Sequence, residues 1–80
     1  MVISIINADY IRDYKINLTF SDGVVRVIDF GPFLRSAKNP MAKKYLDKKL
    51  FKKYYIEYGD IVWNDYEMCF PIWDLYEGQI

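Results

Sequence analysis

The stretch KINLTFSDGVVRVIDF, Lys15 to Phe30, constrains the chain more than any other. Ile16, Leu18 and Phe20 alternate with Asn17 and Thr19, and an apolar run resumes at Val24 after Ser21-Asp22-Gly23. Successive side chains of a strand point to opposite faces, so a period of two predicts half-buried strands on both sides of the turn. Asp-Gly between them predicts a tight hairpin, because glycine takes positive φ without steric cost. A chain of 80 residues that carries such a hairpin is committed to an antiparallel sheet.

The remaining segments are read around that hairpin. VISII (Val2–Ile6) is β-branched and predicts a further short strand, with Asn7 to Lys15 as a connection. Gly31-Pro32 ends the sheet and opens a helical turn, PFLRSA. Asn39-Pro40 predicts a helix start, with Asn39 as N-cap and Pro40 in the first helical position. That helix runs to about Asp47. A break near Asp47–Lys48 is predicted because Lys43 and Asp47 intrude on its apolar side. Tyr54–Tyr58 and Ile61–Trp63 predict strands joined at Gly59-Asp60, and Asn64-Asp65 a turn. Tyr66–Phe70 predicts a third short strand, and PIWDLYEG a closing helical turn. The expected architecture is α+β in a single domain, residues 1–80. It comprises a small three-stranded antiparallel meander, a short helix, a second β-hairpin and a C-terminal helical turn.

Composition narrows the chemistry. Histidine is absent, which removes the commonest general base and the commonest metal ligand. Cys69 is the single cysteine, so no internal disulfide forms and a reducing, cytoplasmic setting is expected. Within MCF it reads as a core thiol. Ser4, Ser21 and Ser36 lack a base, and the four glycines are too dispersed to cradle a phosphate. Asp60, Asp65, Glu67, Asp74 and Glu77 read as turn and capping acids, since no ligand spacing for a metal is present. No catalytic, cofactor-binding or metal-binding residue is expected, and no enzymatic activity. No stretch approaches the ~20 apolar residues of a spanning helix, so no membrane contact is expected.

Charge is separated along a chain that is neutral overall. Residues 35–53 hold eight basic side chains and one acid, and residues 54–80 hold six acids and no base. Lys43, Lys44, Lys48, Lys49, Lys52 and Lys53 form three doublets. Three readings stay open for them. They are a solvated helix face, a complement to the acidic C-terminal third, or a footprint for nucleic-acid phosphates. A near-neutral chain and the predominance of lysine over arginine count against the last.

The second half also carries an aromatic surplus: Tyr54, Tyr55, Tyr58, Trp63, Tyr66, Phe70, Trp73 and Tyr76. Alternation places Tyr54, Ile56 and Tyr58 on one strand face and Tyr55 and Glu57 on the other. A small sheet does not readily bury both faces, and left-over aromatics mark contact surfaces.

The order of these features resembles a known family. LTFSDG, a strand ending in DF, then PFL, YLDKKLFKKYYIE, GDIVW and WDLY follow one another along nearly the whole chain. The matching positions are Leu18, Phe20, Asp22, Gly23, Asp29, Leu34, Leu46, Asp47, Phe51, Gly59, Trp63, Asp74 and Leu75. In this order they look like the small bacterial domains called DUF2442, a domain of unknown function. The resemblance implies a compact α+β domain without established enzymatic activity. It also implies frequent pairing with a small co-encoded protein, in an arrangement suggestive of toxin and antitoxin.

The expected function is therefore a non-enzymatic cytosolic protein-interaction module. Tyr55, Trp63, Tyr66 and Trp73 are the expected contact aromatics, and Lys44, Lys48, Lys49, Lys52 and Lys53 the expected electrostatic rim. A small protein partner is the first expectation, and nucleic-acid binding through residues 43–53 is the alternative. Edge strands of a small sheet leave a homodimer open.

Overall fold

The computed structural model describes residues 2–80. Among them the strands form two three-stranded antiparallel sheets, with short helices between and after them. The first sheet is the meander β1 (Ile5–Arg12), β2 (Lys15–Phe20) and β3 (Val25–Asp29). Ile16, Leu18 and Phe20 on β2 are fully buried, with Ile5 and Ile28 beside them. The apolar face read from the sequence is therefore the core face. At the turn Gly23 has φ +92, and its N–H donates to the Phe20 carbonyl at 2.9 Å.

β1 begins and ends later than expected. Residues 7–12, read as a connection, are strand. Asn7 and Asp9 lie opposite Thr19 and Asn17, while Ala8 and Tyr10 lie opposite Leu18 and Ile16. The period of two is present, but its inward members are a small alanine and an amphipathic tyrosine. Register shifts on both sides of the paired segment blur it further.

The middle of the chain is a series of short turns. α1 (Gly31–Ser36) carries Pro32 in its first turn. α2 (Pro40–Lys43) is capped by Asn39, whose side chain accepts from the Met41 N–H. A 3-10 turn (Lys44–Leu46) follows, then a break at Asp47. Asp47 caps α3 (Lys48–Phe51) by accepting from the Lys49 N–H at 3.0 Å. The expected break thus has a local cause: Asp47 takes an extended backbone and starts a new helical turn.

The second sheet comprises β4 (Tyr55–Glu57), β5 (Asp60–Trp63) and β6 (Met68–Cys69), and α4 (Ile72–Glu77) closes the fold. Trp63 is the hub of the core. Its ring stacks on Phe51 with centroids 5.7 Å apart and meets Phe30 edge-on at 5.5 Å. Its Nε1 donates to the Phe51 carbonyl at 2.8 Å. The two sheets touch at Gly59, whose carbonyl accepts from the Ile5 N–H at 2.8 Å.

Candidate groove beside the lysine segment

β5 has two faces with different fates. Ile61 and Trp63 point into the main core, and Val62 points away from it yet is fully buried. Tyr55 and Cys69 are its cross-strand neighbours. Tyr66, from the β5–β6 loop, stands near the Glu57 and Asp60 carboxylates and Tyr55. Partial desolvation, then those two carboxylates, push its phenol above the ordinary tyrosine range. The outer face of the second sheet is therefore a tyrosine-lined surface, with Tyr55 and Tyr66 both part-exposed.

The β5–β6 loop has unusual backbone geometry. Asn64, Asp65 and Tyr66 have φ of 43, 58 and 65, three successive non-glycine residues in the left-handed region. Asparagine and aspartate tolerate that region; tyrosine rarely enters it. The loop is closed by the Glu67 N–H, which donates to the carbonyls of Trp63 at 2.9 Å and Asn64 at 3.1 Å. The Asp65 N–H donates to the Tyr55 hydroxyl at 3.2 Å.

Between this loop and the lysine segment lies a groove of about 500 Å³. Lys44, Tyr45 and Leu50 form one wall with Lys53, and Asn64, Asp65 and Tyr55 form the other, over the edge of Trp63. Glu67 ties the walls together. Its Oε1 accepts from the Tyr45 hydroxyl at 2.6 Å and pairs with Lys44 Nζ at 2.5 Å. The hydrogen bond with Lys44, then that from Tyr45, hold the Glu67 carboxyl below the usual glutamate range. Burial, then the bond to Glu67, raise the Tyr45 phenol, so it stays a donor. A shallower depression of about 470 Å³ lies on the far side of the loop, touching Phe33, Asn39, Tyr66 and Cys69.

The structure gathers some of the expected contact residues and separates others. Lys44, Lys53 and Tyr55 line the groove, whereas Tyr66 stands near Tyr55 and lines the second depression. Trp63 is corrected: it is fully buried and hydrogen-bonded inside, so it serves as floor and core and is no contact aromatic. β5 lies between β4 and β6, and that central position places the inward side of Trp63 against Phe30 and Phe51. Trp73 is half-exposed on α4, packed edge-on against Tyr76, and lines neither depression. Lys48 turns the other way, pairing with Asp13 at 3.3 Å, and Lys52 lies over the Tyr10 ring at 4.9 Å. Lys49 is exposed and makes no ion pair among the described residues.

Cys69 is corrected too. It is exposed, not a core thiol, because Met68 and Phe70 take the inward positions on either side of it. Tyr45, Leu50, Asn64 and Asp65 belong to the groove, and none of them was expected as a contact residue. Asn64-Asp65 carried a turn signal, but nothing marked the extension of left-handed backbone to Tyr66.

Among the described residues, no group of three or more cysteine or acidic side chains is placed to hold a metal ion. No helix among them is long and apolar enough to cross a membrane. A family model described as a protein of unknown function, DUF2442, matches residues 5–80. The chain belongs to the DUF2442 family. The match opens on the first residue of β1, so both sheets and the groove of this DUF2442 domain lie within it. No curated protein and no solved structure matches it.

Proposed function

We propose that this chain is a non-enzymatic, cytosolic interaction module that grips another small protein through the groove flanked by Tyr55 and Tyr66. The proposed role is regulatory or antitoxin-like, and the proposed partner is a small protein encoded beside it. One observation carries the reading: three consecutive non-glycine residues hold a left-handed backbone, two of them, Asn64 and Asp65, in the wall of the groove and the third, Tyr66, just beyond it. Tyr66 there costs roughly 1–2 kcal/mol against ordinary backbone, and Asn64 and Asp65 less. Strain of this kind persists where the surrounding structure imposes it, and it clusters at binding sites. The loop brings Tyr66 beside Tyr55 of β4, and both are part-exposed. Tyrosine is enriched among the residues that dominate binding energy. Lys44 and Lys53 on the opposite wall supply positive charge, which speeds and orients encounter with an acidic partner surface.

Co-expression with the neighbouring small protein, followed by size-exclusion chromatography with light scattering, tests the proposal. A complex is expected. Tyr55→Ala combined with Tyr66→Ala is expected to weaken it by about tenfold or more, with circular dichroism unchanged. A partner that does not bind, or binds the double variant equally well, overturns it. Duplex DNA titrated at two salt concentrations separates the alternative, since phosphate contacts give an affinity that falls steeply with salt. Tight DNA binding at low salt that survives the tyrosine changes would move the function to nucleic acid. The engagement of Lys44 with Glu67 and of Lys48 with Asp13 leaves fewer lysines free for that role.

A further inference from the structure

The first sheet has two edges, and the structure treats them differently. The β1 edge runs beside the second sheet, where Ile5 is bonded to Gly59. Among the described residues, the β3 edge has β2 on one side and no strand on the other. The ladder fixes which backbone groups are left over. Phe20 N–H donates to the Val24 carbonyl at 2.8 Å, and Phe30 N–H to the Tyr14 carbonyl at 2.8 Å. The register between these bonds is unbroken, with Leu18 opposite Arg26 and Ile16 opposite Ile28. Bonded and non-bonded pairs alternate along an antiparallel ladder. Val24, Arg26, Ile28 and Phe30 therefore face β2. The N–H and C=O groups of Val25, Val27 and Asp29 face outward.

Exposed edges are usually blunted by proline, charged side chains (lysine above all), a bulge or a covering segment, and of these β3 carries only Arg26, on its core-side face, and Asp29. β3 has no proline, no lysine and no bulge along its paired length. Its outer-face side chains are Val25 at 57% and Val27 at 54% exposure, with Asp29 at the end of the strand. We propose that this edge pairs with the same edge of a second copy, joining two first sheets into one continuous antiparallel sheet across a two-fold axis.

The residue pattern selects the register. A two-fold at Arg26 would set Arg26 against its own copy, and like charges directly opposite are destabilising. A two-fold at Ile28 would run the pairing from Val25 into Gly31, the start of α1. A two-fold at Val27 avoids both. It sets Val27 against Val27 and Val25 against Asp29, with Arg26 facing Ile28. Every outward N–H and C=O from Val25 to Asp29 then finds a partner. An isologous contact of this kind closes after two copies. The Val27 edge is separate from the groove, so the dimer leaves that groove open and stands or falls independently of the proposed function.

The edge is only five residues long, so dissociation in the micromolar range is expected. Sedimentation of the full chain from micromolar to millimolar concentration should show a monomer–dimer equilibrium. The amides of Val25, Val27 and Asp29 should gain hydrogen-exchange protection as the dimer forms. Val27→Pro removes a donor that β2 does not use, so the monomer keeps its ladder. Its dissociation constant should rise by about tenfold or more. Val27→Lys, which sets like charges across the axis, should act in the same direction if the proline variant does not fold. A monomer throughout that range, or those three amides indifferent to concentration, overturns the proposal. So does a dimer insensitive to both variants.

Discussion

Trp63 shows how one residue can be recognised as important and still be given the wrong task. A tryptophan among surplus aromatics reads as a contact residue, but its ring fills the centre of the fold and its N–H is satisfied within it. Trp63→Ala should cost about 3–5 kcal/mol, because the surrounding rings cannot close the cavity; urea unfolding would measure it. Glu67 gives a pH-dependent counterpart. Its carboxyl is depressed in the folded chain, first by Lys44 and then by Tyr45. Its stabilisation is therefore complete above the ordinary glutamate range and is lost as pH falls through the depressed native value. Asp22 behaves likewise, held down chiefly by the Tyr76 hydroxyl at 2.5 Å. Glu67→Gln should flatten the acid limb of the stability profile without abolishing it, since Asp22 still titrates. An unchanged acid limb would contradict the assignment. Cys69 was illegible for a simpler reason: in a strand of two residues, one step of register decides between core and solvent.

At the level of elements, legibility followed the strength of the local signal. β2 and β3 were readable because strict alternation and Asp-Gly agree. α2 and its break were readable because Asn39 and Asp47 are side-chain caps written directly in the sequence. β1 was only half readable, because its inward positions are held by residues that are not strongly apolar. The β5–β6 loop was illegible beyond Asn64-Asp65, since no residue-level preference places tyrosine in left-handed backbone. The groove depends on that loop, so the candidate site was less readable than the fold. The β4–β5 turn supplies a test at this scale. Gly59 has φ +82, and a Cβ there would lie 2.5 Å from the Ser4 Cβ. Gly59→Ala should destabilise by more than ~1 kcal/mol, through strained backbone and a displaced β1 start. Hydrogen exchange should show the Ile5 amide losing protection first. Equal loss across both sheets would argue against Gly59 as their junction.

As a whole, the described residues form two sheets but one apolar interior. Trp63 from the second sheet meets Phe30, which follows the first, and Phe51 from the lysine segment. Neither sheet keeps its buried face without the other, so unfolding should be a single transition. Far-ultraviolet dichroism and Trp63 fluorescence, read in a Trp73→Phe background, should give the same midpoint. Separate midpoints would mean two independent cores. The opposed charges of the chain are partly resolved at this scale. Lys44 meets the acidic C-terminal third at Glu67, while Lys48 meets the first hairpin at Asp13. The outward turn of Cys69 has a practical use. The chain holds a single thiol, and it stands on the tyrosine-lined face beside Val62. One maleimide dye attached there would colour the protein at one defined spot, and a change in its emission would show an arriving molecule without any label on the visitor.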